Sequence, residues 1–153
     1  MFGGLHIHWW VVIHAASTWA LVGLIWTIHV VHYPLFASVG TGFRAYHELH
    51  MNRITWVVGP LMLVELGSAL VLWSHPPVGT SGRFWLAGLV LLAVIWIETG
   101  LFAVPQHGRL EAGFDGKIHA ALMTGNLVRT LAWTARGALV AYGVGRLIGG
   151  SQA

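Results

Sequence analysis

The chain has 153 residues, of which 56% are hydrophobic and only 8% charged, and its mean hydropathy is +0.71. Soluble domains carry about 25% charged residues, so this composition excludes an ordinary water-soluble fold and points to a membrane protein. The absence of cysteine excludes disulfides, thiolate metal sites and cysteine nucleophiles, and a formal charge of +3 on scattered carriers does not suggest nucleic acid.

Nine tryptophans suit the boundary between lipid tails and headgroups. The start, Met1 to His6, has no Lys or Arg, so a cleavable signal peptide is not expected there. Four apolar segments follow, at about His8 to Tyr33, Ile54 to Trp73, Phe84 to Val104 and Ala120 to Ile148. Each is near the roughly 20 residues that a bilayer requires. Only helices or closed barrels satisfy backbone groups in lipid, and these runs are too long and too uniformly apolar for barrel strands. The expectation is an all-α, integral membrane four-helix bundle forming a single domain over residues 1–153. Four crossings put both termini on one side. Arg44, Arg53, Arg109 and Lys117 lie at the opposite edge, against Arg83 and Arg146. The positive-inside rule then places the termini outside the cytoplasm.

The first segment closes on His29-Val30-Val31-His32-Tyr33-Pro34. Histidines three apart stack on one helical face, and Pro34 marks the expected helix end. His47 and His50 repeat the spacing on an outward extension of the second helix. With His107 after the third helix and His119 opening the fourth, six of the ten histidines gather toward one membrane face. His6, His8, His14 and His75 belong to the other side and read as interfacial residues, or, for His14 with Thr18, as a helix–helix bond.

Beneath that face lie ionisable groups. At 1.5 Å per residue, Glu98 and Asn126 sit roughly 10 Å inside the segment ends and Glu65 and Arg129 roughly 15–18 Å. Equal depth suggests a Glu65–Arg129 ion pair, with Glu98–Arg129 as the alternative. Asn126, Arg129, Trp133 and Arg136 share one face of the fourth helix. Buried charges in a membrane segment are by default a functional-site hypothesis, although an ion-pair network that only fixes helix packing would look the same.

Neutral imidazole in a helix-lined apolar cavity suits haem iron. The candidate iron ligand is His32 or His29, with His107 or His50 as second ligand or distal group. Arg129 or Arg136 would pair with a propionate. Trp133 would line the pocket, Asn126 would orient propionate or substrate, and Glu65 and Glu98 would balance Arg129 or relay protons. The same side chains could hold non-haem iron or copper instead. The Glu-x-x-His pattern of di-iron bundles is absent, and no serine sits in a hydrolase motif.

The arrangement resembles the small four-helix membrane proteins of the anthrone-oxygenase-like group. The similarity rests on Tyr33-Pro34, on Gly59-Pro60 and on Val104-Pro105-Gln106-His107-Gly108-Arg109-Leu110 followed by Asn126-Leu127-Val128-Arg129-Thr130. The resemblance implies cofactor-assisted or haem-assisted oxidation of aromatic or polyketide-like substrates. The expectation is therefore a haem-binding membrane oxidoreductase of oxygenase type, with the lipid bilayer and a small apolar substrate as partners and a homo-oligomer as its assembly. The rival readings are a non-haem metal enzyme and a small transporter or assembly subunit using the Glu/Arg/His network; a carrier this small would need to oligomerise.

Overall fold

In the computed structural model, residues 3–150 are described, with side chains from 7 to 149; the His6 side chain lies outside them. Apolar residues recur all round these segments, and the outcome is helix throughout, with no strand among the described residues. Helix α1 spans Gly3–Thr27 and runs through a π-helical turn, Ile28–His32, into a single turn α2, Tyr33–Leu35. Two 3-10 turns lead into α3, Phe43–Ser74. Helix α4, Gly82–Glu98, passes through a second π-helical turn, Thr99–Ala103, into α5, Val104–Leu110, and α6 covers Gly116–Gly150. The four rods form a ring in which α1 and α4 each pack against both α3 and α6.

Three apolar clusters stack along the bundle. Leu21, Ile25, Leu92, Ile95 and Trp133 form the middle. Val11, Leu72 and Trp85 close the terminal end, and Tyr33, Phe36, Phe43, Leu110 and Leu122 close the other. The rods α1–α2, α3 and α4–α5 are long and apolar enough to cross a membrane. The fourth apolar segment is a helix of ample length that falls outside that group, because Asn126, Arg129 and Arg136 dilute its apolar run. Those three side chains are buried against the other rods, so the polarity of α6 is turned inward.

The two prolines expected to end helices do not. The chain stays helical past Pro34 to Leu35 and past Pro105 to Leu110. In both places a π-helical turn ends two residues before the proline. Proline lacks the N–H of the i→i−4 bond and its ring meets the carbonyl at i−4. Widening the preceding turn relieves both defects, and such π turns recur at functional sites. The extension of the second helix is continuous with it, because α3 begins at Phe43.

The connectors are short and chemically marked. Ser81 caps α4 by accepting from the Phe84 amide at 3.3 Å. Gly79 and Gly113 take positive φ, the conformation that favours glycine, in the turns before α4 and α6. Asp115 opens α6, its carboxylate accepting from the amides of Lys117 at 2.7 Å and Ile118 at 3.1 Å. Those amides hold its carboxyl below the ordinary value of 3.8. A carboxyl depressed in the folded state contributes stability above its ordinary value, and loses it as pH falls through the folded one. The melting temperature of Asp115→Ala is expected to lie below that of the parent at neutral pH, with the gap closing as the pH is taken below 3.8.

Candidate functional site

The π turn Ile28–His32 decides where the first histidine pair points. In its wider spiral, residues three apart no longer stack as they do in an α-helix. His29 turns toward α6, with Asn126 Nδ2 at 3.3 Å from its Nδ1. His32 turns toward α3, sharing a 2.7 Å hydrogen bond between its Nε2 and His50 Nδ1. The expected common face is thus split between two neighbours. Tyr46 Oη stands 3.4 Å from the other nitrogen of His32.

A second chain of bonds lies deeper. Tyr33 Oη is 2.8 Å from His107 Nε2, and His107 Nδ1 is 3.0 Å from His47 Nε2. His47 is fully buried, stacked on Phe43. A neutral His107 donates through one ring nitrogen and accepts through the other. Protonation at Nδ1 makes Tyr33 the donor and His47 the acceptor; protonation at Nε2 reverses both bonds. His47 Nδ1, at the far end, has no partner among the described residues. The Tyr33 carbonyl accepts from His119 Nε2 at 2.8 Å, which ties the start of α6 to the same turn.

The charges settle into two separate pairs. Arg129 Nε lies 2.7 Å from Glu98 Oε2, and its Nη2 donates to Asn126 Oδ1 at 2.9 Å. The Nε approach is off the hydrogen-bond line, so Glu98 is held by charge and its Oε1 has no donor among the described residues. Of the two expected pairings, Glu98–Arg129 is the one that forms and Glu65–Arg129 does not. Glu65 pairs instead with Arg136, Nε to Oε1 at 3.0 Å, two turns further along α6. Thr18 and Trp133 donate to the same carboxylate at 2.8 and 3.0 Å, and Arg136 also donates to the Gly88 carbonyl. Counting depth from segment ends misplaced the register, because α3 and α6 both begin well before the assumed edges.

The two networks meet at a cavity of about 200 Å³ between the rods. Its walls are mostly apolar, and Tyr33, His50, His107, Arg129 and Trp133 supply the polar contacts. An apolar pocket with a few convergent polar groups is the ordinary form of a small-molecule site. Of the residues expected at a site, His50, His107, Arg129 and Trp133 line this space and His32 touches it through His50. Asn126 and Glu98 stand behind Arg129, while His29 and Glu65 lie outside the lining. Sequence reasoning missed Tyr33, Tyr46 and His47. The signal for His47 was its spacing from His50; for Tyr33, its place beside Pro34.

These residues do not fit a haem as they stand. Both nitrogens of His107 are engaged, His32 and His50 bond each other, and the cavity is below the roughly 300–1,000 Å³ of ordinary ligand pockets. Among the described residues, no group of three or more His, Asp or Glu side chains converges as a metal site. No protein-family model, no curated protein and no solved structure matches the chain.

Two predictions follow from the geometry. A Cβ on Gly125 would overlap Glu98 Oε1, so Gly125→Ala must push the carboxylate off Arg129. Overpacking of this kind costs about 1–3 kcal/mol, readable as a lowered midpoint in denaturant titration. For the relay, ¹⁵N-histidine spectra should show one protonated and one bare nitrogen on His107. Tyr33→Phe should shift the Nε2 resonance and leave His75, at the other end of the bundle, unmoved.

Proposed function

We propose that this is an integral membrane protein that binds a small, largely apolar molecule in the cavity between its four rods. The bound molecule presents an oxygen function to Arg129, Tyr33 and His107. Three apolar rods of spanning length support the membrane setting, as do large apolar side chains on the outside of the bundle such as Trp56, Leu63 and Leu101. An exposed apolar surface of this extent needs lipid or partners to cover it. The basic residues of the histidine end then favour that end as cytoplasmic, with both termini on the other side.

The observation that carries the reading is the cavity itself. A guanidinium, a phenol and two imidazoles face one apolar space. Arg129 would hold an oxyanion or carbonyl oxygen by paired donors. The line Tyr33–His107–His47 would take up or deliver one proton, each member passing its own to the next, as general acid–base chemistry requires. Oxidation of an aromatic or polyketide-like substrate, which the family resemblance implies, would use such a proton acceptor, and the electron acceptor would have to be supplied to the site.

A metal-assisted oxidation is the second reading. Nitrogen–nitrogen separations of 2.7 and 3.0 Å in the pairs His32–His50 and His47–His107 are close to those of adjacent donors around one ion with bonds of about 2.0–2.1 Å. Iron or copper would sit between such imidazoles.

The test uses 4-bromophenol as probe on the detergent-purified protein, followed by equilibrium dialysis. Saturable binding is expected, lost in Val58→Trp, which fills the cavity, and weakened about tenfold in Arg129→Gln through loss of a charged hydrogen bond. Gly59→Leu fills the same space and serves should Val58→Trp fail to fold. Absence of binding, or binding indifferent to both fillers, would sink the reading. Metal analysis with absorption spectra, oxidised and reduced, decides the second. Stoichiometric iron or copper lost in His50→Ala supports it, and a metal-free, colourless protein expressed with iron, copper and haem in supply rejects it.

A further inference from the structure

Arg129 stands in the wall of the inner cavity, and its counter-charge lies on the far side of that wall. Glu98 is absent from the cavity lining and borders a lateral recess instead, an open space of about 660 Å³ on the outer seam of α4–α5 and α6. Gly125 lets the carboxylate lie there, since a Cβ at that position would overlap Oε1. The Glu98 side chain is only 9% exposed, and neither of its oxygens accepts a hydrogen bond among the described residues. Charge alone joins it to Arg129.

Inside the bundle each guanidinium already has its carboxylate, Arg129 with Glu98 and Arg136 with Glu65. The other titratable groups around the first pair are Tyr33, His107 and His50 at the cavity wall, and His29 behind Asn126. An oxyanion placed on Arg129 therefore sets two negative charges against one positive in an apolar interior, where an unbalanced charge is costly. One proton restores the balance. On an imidazole it would leave four buried charges: anion, carboxylate, guanidinium and imidazolium. On Glu98 it leaves two, and each buried charge has its own desolvation cost. Glu65 is a poorer acceptor, because it takes hydrogen bonds from Arg136, Thr18 and Trp133 that a proton would disturb. A proton on Glu98 displaces none.

We infer that the cavity takes up a weak organic acid as an anion together with a proton, the anion on Arg129 and the proton on Glu98. The ligand class is then a small apolar carboxylate, and Glu98 is the residue that sets the pH dependence of its binding. Arg129 keeps its place in the wall; only its counter-charge changes, from the Glu98 carboxylate to the bound anion. The proton comes from solvent and ends on a Glu98 oxygen. Gln106 and Thr124 give the lateral recess a polar end on the histidine side of the bundle, and Gln106 Oε1 has no donor among the described residues, so water can enter there and reach the carboxylate. The inference rests on the cavity binding proposed above and adds that an anion binds only with a proton.

The test is calorimetric titration of the detergent-purified full chain with 4-bromobenzoate, an anion throughout the neutral range. Buffers of different ionisation enthalpy count the protons taken up. About one proton per benzoate is expected near neutral pH, with affinity falling about tenfold for each unit that the pH is raised, as linkage to one proton requires. With ¹³C-glutamate in the protein, infrared difference spectra should show one protonated glutamic acid appearing as benzoate binds. In Glu98→Gln the uptake should vanish and the pH slope flatten, and benzoate should bind about tenfold tighter as the sole counter-charge of Arg129. Should that variant not fold, the proton count and the glutamate band of the parent decide, and Glu98→Gln/Arg129→Gln, with both charges gone, should bind no benzoate. Benzoate binding without proton uptake, uptake that survives in Glu98→Gln, or uptake with no glutamate band would overturn the inference. Failure of benzoate where 4-bromophenol binds would overturn it alone; failure of both would remove the cavity reading with it.

Discussion

Two guanidinium groups inside an apolar bundle have to be met by two carboxylates, and the architecture is arranged around that requirement. Arg129 and Arg136 share the inward face of α6, two turns apart, with Glu98 on α4 and Glu65 on α3 as their counter-charges. Breaking such a buried pair by removing one partner costs about 3–5 kcal/mol, so the register of α6 against α3 and α4 has little freedom. The Glu65 carboxylate adds Thr18 of α1 and Trp133 of α6, so it ties three rods together through polar bonds. Gly125 belongs to the same constraint, since only a residue without Cβ lets Glu98 lie against α6.

The π turns solve a different problem at the other end. Each lets a rod pass a proline without stopping, and each is followed within a few residues by part of the histidine and tyrosine cluster. Had α1 ended at Pro34, Tyr33 would have been a frayed terminal residue; instead it is buried and bonded to His107. The widened turn also rotates His29 away from His32. One imidazole consequently supports Asn126 behind Arg129, while the other opens onto an outer groove between α1 and α3. Local backbone geometry therefore directs Tyr33 to the inner cavity and His32 to the outer groove.

The reading of function follows from how these two devices meet. The ion pairs hold Arg129 at the cavity wall in a fixed orientation, and the π turns bring Tyr33 and His107 to the same wall. A rigid guanidinium beside a hydrogen-bonded Tyr–His–His line suits binding and proton movement at one oxygen atom of an apolar molecule. The imidazole nitrogens are bonded to one another at 2.7 and 3.0 Å, which gives the cluster its cohesion and means that a metal ion would have to displace those bonds.

Composition and hydropathy alone determined that the chain is helical, that it forms four long rods, of which three prove long and apolar enough to span a bilayer, and that polar residues of α6 share one face. These are consequences of period and burial cost, which are local properties of the sequence. The histidine-rich end was also legible, because consecutive rods must alternate in direction and so bring His32, His50 and His107 together. The pairing of charges was legible only in part: Glu98–Arg129, the alternative reading, forms, whereas Glu65–Arg136 does not follow from depth counted from segment ends. Glu65 chose Arg136 over Arg129 because a shift of two turns along α6 depends on where each helix begins, and Phe43 and Gly116 start their helices earlier than hydropathy marks. Nor could spacing reveal that His29 and His32 diverge, since i, i+3 neighbours share a face only if the turn is α. That turn is π because a proline two residues on, packed inside a tertiary fold that holds the rod straight, leaves it no better arrangement.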